Sequence, residues 1–300
     1  MLLSCMKFFF PIVILLGSFT VTAQSKHSMH HLKQEINQLL AKQKGTFAVA
    51  FKDLSTGKEL LINAHENFHA ASTMKTPVMI EIFKQVSEGK FSLKDSILIK
   101  NRFKSIVDSS FYSLDSTDDS ESEIYMHIGE KRTLYDLMYQ MIIASSNLST
   151  NLLIDLVDAK KVTQTMREMG AKKIMVLRGV EDNKAFEKGL NNTTTAYDLM
   201  LIFEKIAEGK AVNKKSSDEM IDILLNQEHN EIIPAKLPKE VKVAHKTGSI
   251  TGVHHDSGII ILPDGRKYVL VLLSKNLEDE KAAVEAMAEV SKIIYDFVNR

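Results

Sequence analysis

Ser72 and Lys75 stand three residues apart in Ser72-Thr73-Met74-Lys75. On a helix that spacing stacks the two side chains on one face, about one turn apart, so the amine can reach the hydroxyl. A serine hydroxyl is a poor nucleophile at neutral pH, and a lysine deprotonates it only where burial or a neighbouring cation lowers the amine's own pKa. A second lysine nearby would therefore help. A helix start contributes in another way, because its unpaired N–H groups donate to the oxyanion that forms when a carbonyl is attacked. Taken alone, a serine and a lysine at this spacing occur by chance about once in a chain of this size.

Two further groups of residues change that reading. Ser145-Ser146-Asn147 follows the apolar helical stretch Leu137 to Ile143 and precedes another. It places a hydroxyl and an amide at a helix junction, where the hydroxyl could relay a proton to a leaving group; by itself the pair reads as a helix cap. Lys246-Thr247-Gly248-Ser249 ends an apolar strand candidate. Gly248 there lets another stretch of chain approach closely, while a lysine and two hydroxyls face one opening suited to an acidic or carbonyl ligand.

The elements that must position these groups follow from periodicity. A polar helix is expected from His30 to Gln43, then a hairpin of Thr46 to Asp53 and Glu59 to Asn63 around the turn Ser55-Thr56-Gly57. From Thr73 to Ser87, Met74, Val78, Met79, Ile82, Phe83 and Val86 recur at helical spacing, which puts Ser72 at a helix N-terminus. Helical patterns continue over Thr133 to Ile143, Ser149 to Val157, Val162 to Met169 and Thr195 to Ala207. Short apolar runs then return at Val241 to His245, Ser257 to Leu262 and Lys267 to Ser274, and a helix from Glu278 to Val298 closes the chain. The fold class expected is α+β: an antiparallel sheet lobe flanked by N- and C-terminal helices, with a mostly helical lobe inserted and a cleft between them. The sheet lobe would take about 24–70 and 211–300, the helical lobe about 71–210, as one catalytic domain.

The chain's 38 Lys and Arg balance 38 Asp and Glu, with neither sign in a long block, which argues against nucleic acid as a partner. Lys7, the apolar run Phe8 to Leu16 and the small residues ending at Ala23 read as a signal peptide over 1–23, with an exported, periplasmic or secreted product that keeps no membrane anchor. Cys5, the single cysteine, precedes that run, so the mature protein has neither a lipid-bearing cysteine nor a disulfide. The segment Asp108 to Glu123 is rich in serine and carboxylates and reads as a solvated loop. Its carboxylates lack the spacing of a calcium loop, and His254 with His255 would point to opposite faces of a strand, so neither a metal nor a cofactor is expected.

Together, Ser72-x-x-Lys75, Ser145-Ser146-Asn147 and Lys246-Thr247-Gly248, in this order and about 70 and 100 residues apart, resemble the S-x-x-K, S-D-N and K-T-G set of class A β-lactamases and penicillin-binding proteins. The resemblance covers nearly the whole mature chain. It implies Ser72 as nucleophile, Lys75 as its base or proton relay and Ser145 as a second proton carrier. Asn147 would contact the substrate amide, and Lys246, Thr247, Gly248 and Ser249 would form the edge that holds the substrate carboxylate and carbonyl. The backbone N–H groups of Ser72 and Ser249 would make the oxyanion hole.

The resemblance also implies a glutamate that activates the deacylating water, on a loop before Thr193-Thr194-Thr195. Glu181, shortly after Arg178, lies at the family's distance; Glu187, in Glu187-Lys188-Gly189-Leu190-Asn191, fits its local E-x-x-L-N pattern. Glu181 is the preferred of the two. Ser146 stands where β-lactamases of this class carry aspartate, and His254-His255-Asp256 fall where many carry an arginine for the substrate carboxylate. The implied activity is β-lactam hydrolysis, hence antibiotic resistance, by a monomer. A penicillin-binding D,D-peptidase or esterase with slow lactam deacylation is the alternative, and a non-catalytic envelope binding protein a third reading.

Overall fold

The computed structural model describes residues 28–299, so the signal-peptide expectation lies outside the described residues. Helix α1 (Met29–Leu40) leads into strands β1 (Thr46–Asp53), β2 (Glu59–Ile62) and β3 (Phe68–His69), then a 3₁₀ turn (Ala71–Met74) that runs directly into α2 (Lys75–Ser87). The middle of the chain holds β4 (Ser96–Leu98), β5 (Phe103–Lys104), β6 (Phe111–Tyr112), β7 (Lys131–Thr133), α3 (Leu134–Ile143), α4 (Asn147–Val157) and α5 (Ala159–Glu168). After it come α6 (Asn183–Glu187), β8 (Thr193–Thr194), α7 (Ala196–Ala207), α8 (Lys214–Leu224), β9 (Lys242–Ile250), β10 (Val253–Ile261), β11 (Lys267–Lys275) and α9 (Glu280–Val298).

The five long strands form one antiparallel sheet in the order β2-β1-β11-β10-β9, so strands from the two ends of the chain share it, as expected. Alternation along β11 explains why that strand reads as a continuous apolar run. Tyr268, Leu270 and Leu272 face α1 and α9, whereas Val269, Val271 and Leu273 face the helical side. Burying both faces removes the polar half of a strand pattern. Each fully buried side chain of this kind contributes on the order of 1.5–3 kcal/mol.

Three differences from the sequence reading have physical causes. Helix α8 was not foreseen, because its apolar residues crowd into its second half (Met220, Ile221, Ile223, Leu224) and its start is set by the cap Asn213, whose side chain accepts from the Ser216 N–H. The two-stranded pairs β3–β8, β4–β7 and β5–β6 interrupt the helical section; at two or three residues per strand they are too short to show a period. Strand β9 runs on through Ile250 and β10 begins at Val253. Lys246 to Ser249 and His254 to Asp256 are therefore paired strand residues, hidden from a search for apolar runs by their polarity.

Candidate active site

The first two motifs and the loop of Glu181 sit where elements meet, and the strain at those joints shows in the backbone, whereas Lys246 to Ser249 lie within β9. Ala71, Ser145 and Glu181 all take left-handed conformations (φ 44°, 62° and 61°), which cost a non-glycine residue roughly 1–3 kcal/mol each and persist only where surrounding contacts hold them. Ala71 precedes Ser72 in the 3₁₀ turn. Ser145 lies between α3 and α4, where Ser146 is the cap, its hydroxyl accepting the Ser149 N–H. The cap and the candidate proton carrier thus fall on adjacent serines, and the twist at Ser145 sends its hydroxyl toward two lysines.

Lys75 is wholly buried. Its Nζ donates to Ser145 O at 2.6 Å, Ser145 Oγ at 3.1 Å and Asn147 Oδ1 at 3.0 Å. Lys246, equally buried, donates to the same Ser145 Oγ at 3.1 Å and to Thr247 O at 3.0 Å. Burial pulls Lys75 down to about 7, against smaller opposing pulls from Asp119 and Glu181. Burial, and then the neighbouring charge of Lys75, hold Lys246 well below the ordinary lysine value. Two buried amines that share one hydroxyl disfavour each other's charged form, so a neutral amine is within reach near neutral pH.

Gly248 on β9 faces the helix start that carries Ser72. A Cβ there would lie 3.0 Å from the Ser72 and Thr73 backbone nitrogens and 3.2 Å from Ala71 Cβ, so only glycine lets the strand edge and the start of the helix approach this closely. Ser72, Asn147 and Ser249 line both halves of the cleft. One half continues to Ser145, Thr247 and His254, the other to His69, Glu181 and Phe186.

Glu181 Oε1 accepts a hydrogen bond from Asn147 Nδ2 at 2.9 Å. Burial raises its carboxyl above the ordinary value, and that hydrogen bond pulls the other way. Its loop is stitched together by Asn192, whose Oδ1 accepts from the Leu177 and Arg178 N–H groups, and by Arg178 Nε, which donates to Leu190 O. Glu187 is exposed at the end of α6, away from the cleft lining.

Two positioning residues were not singled out in the sequence. Asn151, one turn after Asn147 on α4, clamps Val180 beside Glu181: its Oδ1 accepts the Val180 N–H at 2.6 Å and its Nδ2 donates to Val180 O at 3.0 Å. An Asn-x-x-x-Asn spacing on one helix face was the available signal. Asp119, from the segment expected to be a solvated loop, is only 7% exposed. Its carboxylate accepts the N–H groups of Asn147 and Leu148, both at 2.9 Å, and the Tyr125 hydroxyl at 2.9 Å. It anchors the second motif from outside, beside a cap that is Ser146 rather than aspartate. Asp119→Asn, which puts an amide donor against those N–H groups, is expected to cost about 1–3 kcal/mol in urea denaturation. An unchanged midpoint would contradict the anchoring role.

Among the described residues no cluster of three or more His, Cys, Asp or Glu is arranged to hold a metal ion, and no helix is long and apolar enough to cross a membrane. His254 and His255 do alternate across β10. His255 is buried, with Nε2–H donating to His69 O at 2.8 Å, whereas His254 is partly exposed; both border the cleft.

Known proteins resemble this chain. Extended-spectrum beta-lactamase PER-1 of Pseudomonas aeruginosa is 24% identical, with 95% of this chain and 92% of the relative covered. A beta-lactamase of Bacteroides uniformis is 24% identical over 97% and 99% of the two chains. Among solved structures, a beta-lactamase from Sphaerobacter thermophilus superposes with a TM-score of 0.76 at 26% identity, covering 91% of this chain and 97% of that one. PBP-A does so with a TM-score of 0.76 at 27% identity, over 89% and 96%. The sequence profile described as the beta-lactamase enzyme family matches residues 31–298, and with nearly the whole described chain inside that match the chain belongs to the beta-lactamase enzyme family.

Proposed function

We propose that this protein hydrolyses β-lactams through a covalent acyl-enzyme on Ser72. The observation that carries the reading is the convergence of two buried lysines on Ser145 Oγ, at 3.1 Å each, beside a serine at a helix start. Neutral Lys75 takes the Ser72 proton as Oγ attacks the lactam carbonyl carbon, and the oxyanion is held by the N–H groups of Ser72 and Ser249. The ring C–N bond breaks, and the leaving nitrogen takes the Ser145 hydroxyl proton, which is replaced from the lysines. Glu181 then takes a proton from water, whose oxygen attacks the ester carbonyl; Ser72 Oγ leaves and receives that proton by way of Lys75, which returns Glu181 to its carboxylate and Lys75 to the neutral amine. Asn147 binds the substrate amide, while Lys246, Thr247, Gly248 and Ser249 hold its carboxylate and carbonyl.

Residues 1–23 support export, so the reaction is placed outside the cytoplasm, with the protein acting as a monomer without a cofactor. A second reading, a penicillin-binding peptidase, is favoured by Ser146 in place of aspartate and by the likeness to PBP-A, a mutant of which has been solved as an acyl-enzyme complex with penicillin G. A chromogenic cephalosporin separates the two. Sustained hydrolysis that Ser72→Ala abolishes is expected; a stable adduct without turnover would select the peptidase, and neither outcome would sink both.

A further inference from the structure

Glu181 stands between two residues that other parts of the chain hold. Before it, Val180 is clamped by Asn151 and also accepts the Tyr112 hydroxyl of β6 at 3.2 Å. After it, Asp182 is 2% exposed and docks on the loop between β5 and β6. Its Oδ1 accepts the Ser105 hydroxyl at 2.8 Å, and its Oδ2 accepts the Ile106 N–H at 2.9 Å. Oδ1 also accepts the Ala185 N–H at 3.1 Å, so the same carboxylate caps α6.

The receiving loop is itself fixed. Ser105 Oγ accepts the Val107 N–H at 3.2 Å; the Ser105 carbonyl accepts the Ser109 N–H at 3.0 Å, and the Ser105 N–H donates to Ser110 O at 2.8 Å. Beyond β6, Asn101 brackets Leu114, donating to its carbonyl and accepting its N–H, both at 2.8 Å. The backbone of Asp115, the next residue, acts on the Glu181 carboxyl itself, opposing the rise that burial imposes. Outside this contact Lys184 Nζ reaches Asp108 Oδ2 at 2.8 Å and Ser110 Oγ at 2.7 Å. Both ends of that ion pair are about half exposed, where solvent weakens it.

The left-handed φ of 61° at Glu181 persists only where the surrounding structure holds it. With Val180 fixed by Asn151, relaxing Glu181 to an ordinary conformation has to move Asp182. The buried dock of Asp182 on the hairpin is what prevents that movement.

We infer that Asp182 is a positioning residue for deacylation: by docking on Ser105 and Ile106 it keeps Glu181 in the strained conformation that aims its carboxyl into the cleft, and the β5–β6 hairpin thereby sets the lifetime of the acyl-enzyme. This rests on the reading of Glu181 as the group that activates water. Attack by Ser72 depends on the 3₁₀ turn and α2, which do not take part in the dock.

The test follows acylation and deacylation by a penicillin separately, with stopped-flow mixing and intact mass, in Asp182→Asn and in the milder Ser105→Ala, which keeps the α6 cap and decides the matter if Asp182→Asn fails to fold. Asp182→Asn turns an amide donor toward the Ile106 N–H and should slow deacylation by about 10- to 100-fold, the upper end being the cost of an ångström-scale misplacement. Ser105→Ala, which removes one hydrogen bond of the dock, should slow it by about 3- to 10-fold. Acylation should stay within about twofold in both. In Glu181→Gln protein, Asp182→Asn should add less than about twofold, because it acts through that carboxylate. Lys184→Ala, which cuts only the surface pair, should leave both rates within about twofold. Equal losses in acylation and deacylation, an effect of Asp182→Asn that persists in full in Glu181→Gln protein, a loss in Lys184→Ala as large as in Ser105→Ala, or normal deacylation in the dock variants while Glu181→Gln is slow would each overturn the positioning role. Normal deacylation in Glu181→Gln itself would instead overturn the assignment of the base on which that role rests.

Discussion

Glu181→Gln is expected to convert a turning-over enzyme into one that stays acylated. Asn147 Nδ2 donates to Glu181 Oε1 at 2.9 Å, and the glutamine carbonyl can accept the same bond, so the loop should keep its place. What disappears is the ability to take a proton from water. Acylation should continue, deacylation should slow by about 1000-fold, the midpoint of the range for a lost general base, and a mass adduct should persist for minutes to hours. The parallel Glu187→Gln, at an exposed position on α6, should leave turnover within about twofold, as surface substitutions away from a site do. Stopped-flow hydrolysis combined with intact mass measures both; an adduct that accumulates in the Glu187 variant instead would reverse the assignment.

The second large effect concerns the first half of the reaction. Lys75→Met keeps an unbranched side chain one atom shorter and removes the amine, and acylation should fall by about 100- to 10,000-fold. The sign of the pH dependence follows from the lowered pKa. Burial brings Lys75 to about 7, so the amine is increasingly protonated and idle below that value and increasingly neutral and active above it. The acylation rate of the unaltered protein should therefore rise with pH through a midpoint near 7, and this limb should be missing from the residual activity of Lys75→Met. An acid limb unchanged in the variant would assign it to another group, with Glu181, whose carboxyl burial also raises, the first to examine.

Much of the candidate site was legible in the sequence because its residues sit on motifs with local meaning. Ser72 and Lys75 are related by one helical turn, Ser146 caps the helix that begins with Asn147, and Gly248 marks a close approach of backbone. The double-sided burial of β11 was readable as an apolar run. Contacts between residues distant in sequence were not readable. Asp119 looked like one carboxylate among many in a polar segment, and only the folded chain brings it to the N–H groups of Asn147 and Leu148. Ser105 and Asp182 lie 77 residues apart, with no periodicity that links them. The sequence preferred Glu181 to Glu187 by its distance from Thr193-Thr194-Thr195 and by Arg178 shortly before it. The local pattern favoured Glu187, while the contact with Asn147 and the clamp of Asn151 on Val180 bring Glu181 to the cleft.

The central claim is that catalysis passes through an ester on Ser72, and the most direct test is rapid quenching during turnover of a penicillin, followed by peptide mapping. A peptide containing Ser72 that carries the full mass of the substrate, formed and lost at rates that account for steady-state hydrolysis, is the expected result. Hydrolysis that proceeds without this adduct, or that survives in Ser72→Ala, would contradict the account.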